Sequence, residues 1–112
     1  MGRQLCPGLA LTLLALLLAS TASAGGEDEA LLAQGRQVFL EQAQPSCSLC
    51  HTLREAGASG AVGPDLDQLK PDAARVEAAV RNGLGVMPPF AESLSDEQIR
   101  AVAAYVSSVA GQ

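Results

Sequence analysis

The sequence predicts a small all-α protein of three to four helices separated by long loops. Apolar residues recur at helical spacing in three stretches, capping or breaking residues bound each stretch, and no segment alternates with period two. A chain of 112 residues holds one modest domain at most.

The first segment stands outside that domain. Arg3 supplies a positive charge, Leu9 to Ala19 is an apolar run broken only by Thr12, and Ala22-Ser23-Ala24 offers small residues at signal-peptidase spacing. Residues 1–24 are therefore expected to be a cleaved signal peptide, with residues 25–112 a single exported domain. The apolar run is short of the roughly 20 residues a bilayer span needs, so no stable membrane insertion is expected after cleavage. Cys6 precedes the run, which does not suit a lipoprotein signal.

Gly25 to Glu29 reads as an acidic leader that frays. A helix is expected from Ala30 to about Gln42, with Leu31, Leu32, Val38 and Phe39 on one face. Glu27, Asp28 and Glu29 suit its positive N-terminal end, and Pro45 stops it. A loop rich in Gly, Ala and Ser then runs from about Arg54 to Gly63 and closes at Pro64-Asp65-Leu66. Pro71 fits the first position of a second helix that presents Val76, Ala79 and Val80 inward and runs to about Asn82, ending at Gly83. Gly85-Val86-Met87-Pro88-Pro89-Phe90 is a stiff connection. Ser95 and Gln98 have the spacing of a capping box and open the last helix. Its stripe is Ile99, Val102, Ala103, Val106 and Val109, closed by Gly111.

Charge and cysteine usage narrow the function classes. Twelve acidic residues against seven Lys and Arg give a net charge of −5, which moves to −6 when Arg3 leaves with the signal. That balance argues against a nucleic-acid binder. Of three cysteines only two remain after cleavage, too few for a disulfide-dense secreted scaffold. Residues 25–112 contain only 22 large apolar side chains and no Trp. A domain this small usually needs a staple beyond its own core. The deficit hints at a bulky cofactor.

Cys47-Ser48-Leu49-Cys50-His51 is the motif that carries chemistry. It reads as a c-type haem attachment site. Two thiols separated by two residues can each add to a vinyl group of one haem, which carries the adjacent imidazole beneath the ring to reach the iron. This attachment takes place outside the cytoplasm, in keeping with the signal peptide. A thioredoxin-type pair would need a βαβ context that this chain lacks. A zinc site needs four ligands, and residues 25–112 offer two Cys and one His in a single short stretch. Spacing alone leaves a plain disulfide open, although it would leave His51 and the thin core unexplained.

The sixth iron ligand is then the question. His51 is the only histidine, so a second imidazole within the chain is impossible. Met87 is the one methionine left after Met1 departs with the signal. It precedes Pro88-Pro89, which disfavours helix there and holds it extended on a stiff loop. A core-filling methionine is the plainer alternative.

With these residues in place, the chain resembles a class I c-type cytochrome from Leu31 to Ala110. Cys47-x-x-Cys50-His51-Thr52 matches the attachment motif, and Gly63-Pro64-Asp65-Leu66 looks like the family's Gly-Pro-x-Leu segment. The resemblance implies a haem c held by Cys47 and Cys50, with His51 and Met87 as iron ligands. It implies that the Pro64 carbonyl accepts a hydrogen bond from the His51 ring and that Leu66 packs on the haem. Gly35 and Phe39, facing Val102 and Tyr105, resemble the family's crossing of N- and C-terminal helices. At finer grain, Gln44 to Phe90 is similar to the small cytochrome subunit of bacterial sulfite dehydrogenases. The resembling pieces are Gln44-Pro45-x-Cys47, His51-Thr52-Leu53, Ala56-Gly57-Ala58 and Gly85-Val86-Met87-Pro88.

These readings imply a periplasmic one-electron carrier rather than an enzyme. Its implied partners are redox proteins: a molybdenum-containing sulfite-oxidising subunit as donor and a terminal oxidase towards which electrons pass. The general alternative is a class I carrier serving another periplasmic dehydrogenase. A haem enzyme or gas sensor would instead require an open or labile sixth position, and its helical-bundle form carries the attachment motif near the C-terminus.

Overall fold

The computed structural model describes residues 1–2 and 24–112. The expected signal peptide lies, but for its two ends, outside the described residues.

The first helix, α1, runs Ala24–Gln37 and so starts earlier than the sequence suggests. The acidic stretch expected to fray is helical, and Glu27 in the first turn complements the positive end of the helix dipole. The helix then widens into a π-helical turn, Val38–Gln42, closed by the Ala43 amide donating to the Val38 carbonyl at 3.0 Å. Val38 and Phe39 are both buried here. Ser46 lies 3.1 Å from the carbonyls of Phe39 and Leu40, so its hydroxyl serves the unpaired acceptors at this helix end.

A 3₁₀ turn, Cys47–Leu49, follows. Two short strands, β1 (Thr52–Leu53) and β2 (Ala58–Ser59), pair antiparallel with Thr52 opposite Ser59 and Leu53 opposite Ala58. Between them lie a 3₁₀ turn, Arg54–Ala56, and the left-handed Gly57. Two-residue strands are too short to show the period-two alternation by which a sequence betrays a sheet.

The short helix α2, Leu66–Leu69, was not expected. Its cap is Asp65, whose carboxylate accepts from the amides of Asp67 at 2.9 Å and Gln68 at 3.3 Å. Helix α3 spans Ala73–Asn82 and begins two residues later than predicted. Asp72 is the cap, accepting from the Arg75 amide at 2.8 Å, so Pro71 precedes the cap instead of opening the helix. Aspartate wins because its side chain satisfies a free amide, which proline cannot do. Helix α4, Asp96–Val109, has the complete capping box. The Gln98 amide donates to the Ser95 hydroxyl at 3.1 Å, and the Ser95 amide donates to the Gln98 side-chain carbonyl at 2.9 Å.

The core lies where α1 and α3 pack on α4. Glycine lets α1 approach closely: a Cβ built on Gly35 would stand 2.5 Å from the Tyr105 Cβ and closer still to the Ala101 carbonyl oxygen. One turn on, Phe39 meets Tyr105 edge to face, with ring centroids 6.0 Å apart. The Tyr105 hydroxyl donates to Glu55, which also pairs with Arg36 at 3.5 Å. Arg81 joins α3 to the start of α4 through Asp96 at 2.6 Å, and Glu77 holds it from within α3 at 3.0 Å. Asp67 ties the loop to the C-terminus, accepting at 2.8 Å from the amides of both Arg54 and Gly111. The all-α class with crossing first and last helices is the architecture the sequence predicts.

Candidate functional site

Beside the helix crossing, one apolar cleft of about 320 Å³ gathers every residue that the sequence singles out for chemistry. Cys47, Cys50, His51, Pro64, Leu66 and Met87 all line it, although Met87 lies far along the chain from the cysteine motif. Phe39, Val80, Phe90, Val102 and Val106 supply the deep apolar wall. A hollow of about 590 Å³ elsewhere is lined by residues such as Arg54, Asp67 and Lys70, and takes none of these six.

The cysteine motif is shaped by its backbone. The 3₁₀ turn lets the Cys47 carbonyl accept from the amides of Cys50 at 3.2 Å and His51 at 2.9 Å. The Cys50 carbonyl accepts from the Gly63 amide at 2.7 Å, folding the following loop back over the motif. No disulfide joins Cys47 and Cys50, so both sulfurs are available for attachment. The Cys47 thiol is pushed up to about 11, mainly because burial disfavours the thiolate, with Cys50 adding to the rise.

His51 is oriented by the same loop. Its Nδ1 donates to the Pro64 carbonyl at 2.8 Å. A carbonyl only accepts, so the contact fixes the proton on Nδ1 and leaves the lone pair on Nε2, the form a metal-binding imidazole takes. Gly63 presses against the ring, for a Cβ there would stand 2.6 Å from Cε1 and 2.9 Å from Nδ1. Gly60 lies as close to the motif backbone, with a Cβ position 2.6 Å from the Cys50 carbonyl carbon. The sequence reading missed Gly60, and a glycine inside a Gly/Ala/Ser loop gives little signal of such an approach.

Met87 is held by a tight turn. The Leu84 amide donates to the Met87 carbonyl and the Met87 amide donates to the Leu84 carbonyl, each at 3.0 Å. The side chain is half-buried against the core and borders the cleft. Leu66 is buried, and α2 carries it into the wall.

This arrangement fits a haem. The cleft falls within the volume range of pockets for bulky ligands, and its walls are apolar where a porphyrin face would press. Free thiols, an imidazole nitrogen and a thioether are the donor set that covalent attachment and axial ligation require. Among the described residues no group of three or more His, Cys, Asp and Glu side chains gathers as a metal cluster, as a zinc site would. No helix among them is long and apolar enough to cross a membrane.

A four-helix shell around such a cleft defines a c-type cytochrome, and the chain belongs to the class I members of that family. Residues 30–106 match the family described as cytochrome C oxidase, cbb3-type, subunit III. The chain is similar to the c-type cytochrome SorU from Sinorhizobium meliloti, with 61% identity and a TM-score of 0.73 over 75% of this chain and 95% of that one. It is 38% identical to chloroplastic cytochrome c6 of Chlamydomonas reinhardtii over 112 aligned residues, covering 91% of this chain and 68% of the relative. Cytochrome c6 of Tetradesmus obliquus is 36% identical over 85 residues, which cover 67% of this chain and 86% of the relative. The protein is a single-haem electron carrier with covalently attached haem c, not an enzyme.

Proposed function

We propose that the chain works in the periplasm, accepts single electrons from a molybdenum-containing sulfite-oxidising partner and passes them towards a terminal oxidase. The observation that carries the site reading is the convergence of Cys47, Cys50, His51 and Met87 on one apolar cleft. Cys47 and Cys50 would hold the haem through thioethers, and His51 Nε2 and the Met87 sulfur would ligate its iron. The bound haem supplies one-electron chemistry between ferrous and ferric iron.

The protein's own residues set the conditions for that chemistry. Pro64, by accepting from Nδ1, fixes the imidazole and strengthens it as a ligand. Leu66, Val80 and Phe90 exclude water from the cleft, which together with a soft thioether favours the ferrous state and raises the potential. The net charge of −6 on residues 25–112 favours partners with a positive patch. Residues 1–24 act as the signal and residues 25–112 as the mature domain.

The sulfite partner is supported by the similarity of Gln44 to Phe90 to the small cytochrome subunit of bacterial sulfite dehydrogenases. The 61% identity to SorU, over nearly its full length, supports a narrow kinship among short c-type cytochromes. The test is direct. Purified, haem-loaded protein is mixed with sulfite and the candidate dehydrogenase, and haem reduction is followed by absorbance. Rapid reduction is expected. Its absence, with reduction by other donors intact, removes the sulfite partner and leaves the carrier. Fractionation of cells and the mass of the mature chain test export and the cleavage point.

A further inference from the structure

The connection from α3 to the Met87 turn begins at a glycine pressed against the methionine's own backbone. Gly83 closes α3 with φ +72° and ψ 168°, a conformation that essentially only glycine adopts. A Cβ at this position would stand 2.7 Å from the Met87 carbonyl oxygen and 2.9 Å from the Pro89 nitrogen. No side chain fits between them.

The rest of the loop is pinned around that contact. The Gly83 amide donates to the Ala79 carbonyl at 2.8 Å, and the Phe90 amide donates to the Val80 carbonyl at 2.8 Å. Both ends of the segment are thus tied to neighbouring carbonyls in the last turn of α3. Within it the paired bonds between Leu84 and Met87 fold the chain back onto Gly83. Gly85, at the tip of this turn, also has positive φ (+59°), yet a Cβ there meets nothing within 4 Å. The two glycines share a left-handed backbone, and only one of them touches the segment that carries the methionine.

We propose that Gly83 is a positioning residue for the Met87 thioether. By letting the Met87 carbonyl and the Pro89 nitrogen close onto the end of α3, it fixes the depth at which the sulfur enters the cleft. The inference rests on Met87 being the axial ligand.

The test uses ferric, haem-loaded protein as matured in a host that attaches haem c. Two readouts are taken: the weak red-end absorption band of a methionine-ligated ferric haem, and the affinity for added imidazole, which competes with the methionine. In Gly83→Ala the band is expected to weaken, and imidazole to bind at least about tenfold more tightly, a shift equivalent to about 1.4 kcal/mol. Gly85→Ala carries the same cost of a positive φ but meets no neighbour, so both readouts should shift less than half as far as in Gly83→Ala. Gly83→Ala with band and imidazole affinity unchanged overturns the proposal, as does a Gly85→Ala variant that shifts equally. Should Gly83→Ala not accumulate with haem, Leu84→Pro, which removes the amide that donates to the Met87 carbonyl beside Gly83, tests whether closure of this turn onto the end of α3 sets the sulfur, and unchanged readouts there overturn the proposal. Met87→Ala separates the two levels: if it keeps the parent's band, the ligand reading itself is wrong, whatever Gly83 does.

Discussion

Gly35 and Tyr105 meet where no side chain fits between α1 and α4: a Cβ on Gly35 would stand 2.5 Å from the Tyr105 Cβ. Gly35→Ala should therefore destabilise the haem-loaded protein by about 1–3 kcal/mol through overpacking, despite alanine's better helix propensity. Gly26→Ala, where nothing lies within 4 Å, is the control and should be neutral or slightly stabilising. Denaturant midpoints of the two variants decide the matter, and equal midpoints would contradict close contact at the crossing.

Tyr105 is expected to set an alkaline limit. Its phenol is held well above the usual tyrosine range, first by burial and then by its bond to Glu55. Tyrosine in the unfolded chain ionises near pH 10, so below that pH the contribution is constant. Above it the unfolded state loses a proton that the folded state keeps, and stability falls as pH rises. Tyr105→Phe should flatten that fall and cost about 1 kcal/mol at neutral pH through the lost hydrogen bond. Thermal unfolding across the alkaline range measures both effects.

Asp67 works in the opposite sense. Its carboxyl is held below the usual range by hydrogen bonds from the Gly111 amide and then the Arg54 amide. A depressed folded value means that the stabilisation is present above the unfolded value of about 3.9 and lost as pH falls through the folded one. Asp67→Asn should cost about 1 kcal/mol at pH 7, discounted for solvent screening at this partly exposed site, and should lessen the acid sensitivity. Chemical denaturation at neutral and acid pH compares variant and parent. An unchanged difference between the two pH values would count against the clasp.

Met87→Ala should remove the red-end band of the ferric protein, open the sixth position to added ligands and lower the reduction potential. Haem content by mass should remain that of the parent, because Cys47 and Cys50 make the covalent links. A variant with unchanged spectrum and potential would remove Met87 from the proposed ligand pair.

Much of this architecture was legible in the sequence because it rests on local rules. Ser95 and Gln98 announce the start of α4, and both bonds of their box are formed. The stripe from Ile99 to Val106 is buried as its period requires. The cysteine-histidine motif and Met87 are distant in the chain but distinctive in residue type, so their meeting at one cleft was expected. What stayed hidden depends on partners that no local pattern reveals. Asp72 displaced Pro71 from the helix start because a carboxylate caps where proline only tolerates. Asp65 nucleated α2 in what reads as loop. The two-residue strands lie below the length at which alternation is visible, and the π-helical turn at Val38–Gln42 has no sequence signature at all. Close approach at Gly60 and Gly83 becomes apparent only when the second segment is in place.

The segment between Gly83 and Phe90 leaves and re-enters the fold at adjacent points, the carbonyls of Ala79 and Val80. It is built like an exchangeable cassette. Alternative sequences spliced between these two stubs would retune the iron's redox poise while the helical scaffold stays as it is, which makes this short stretch the natural place to engineer a graded set of carriers.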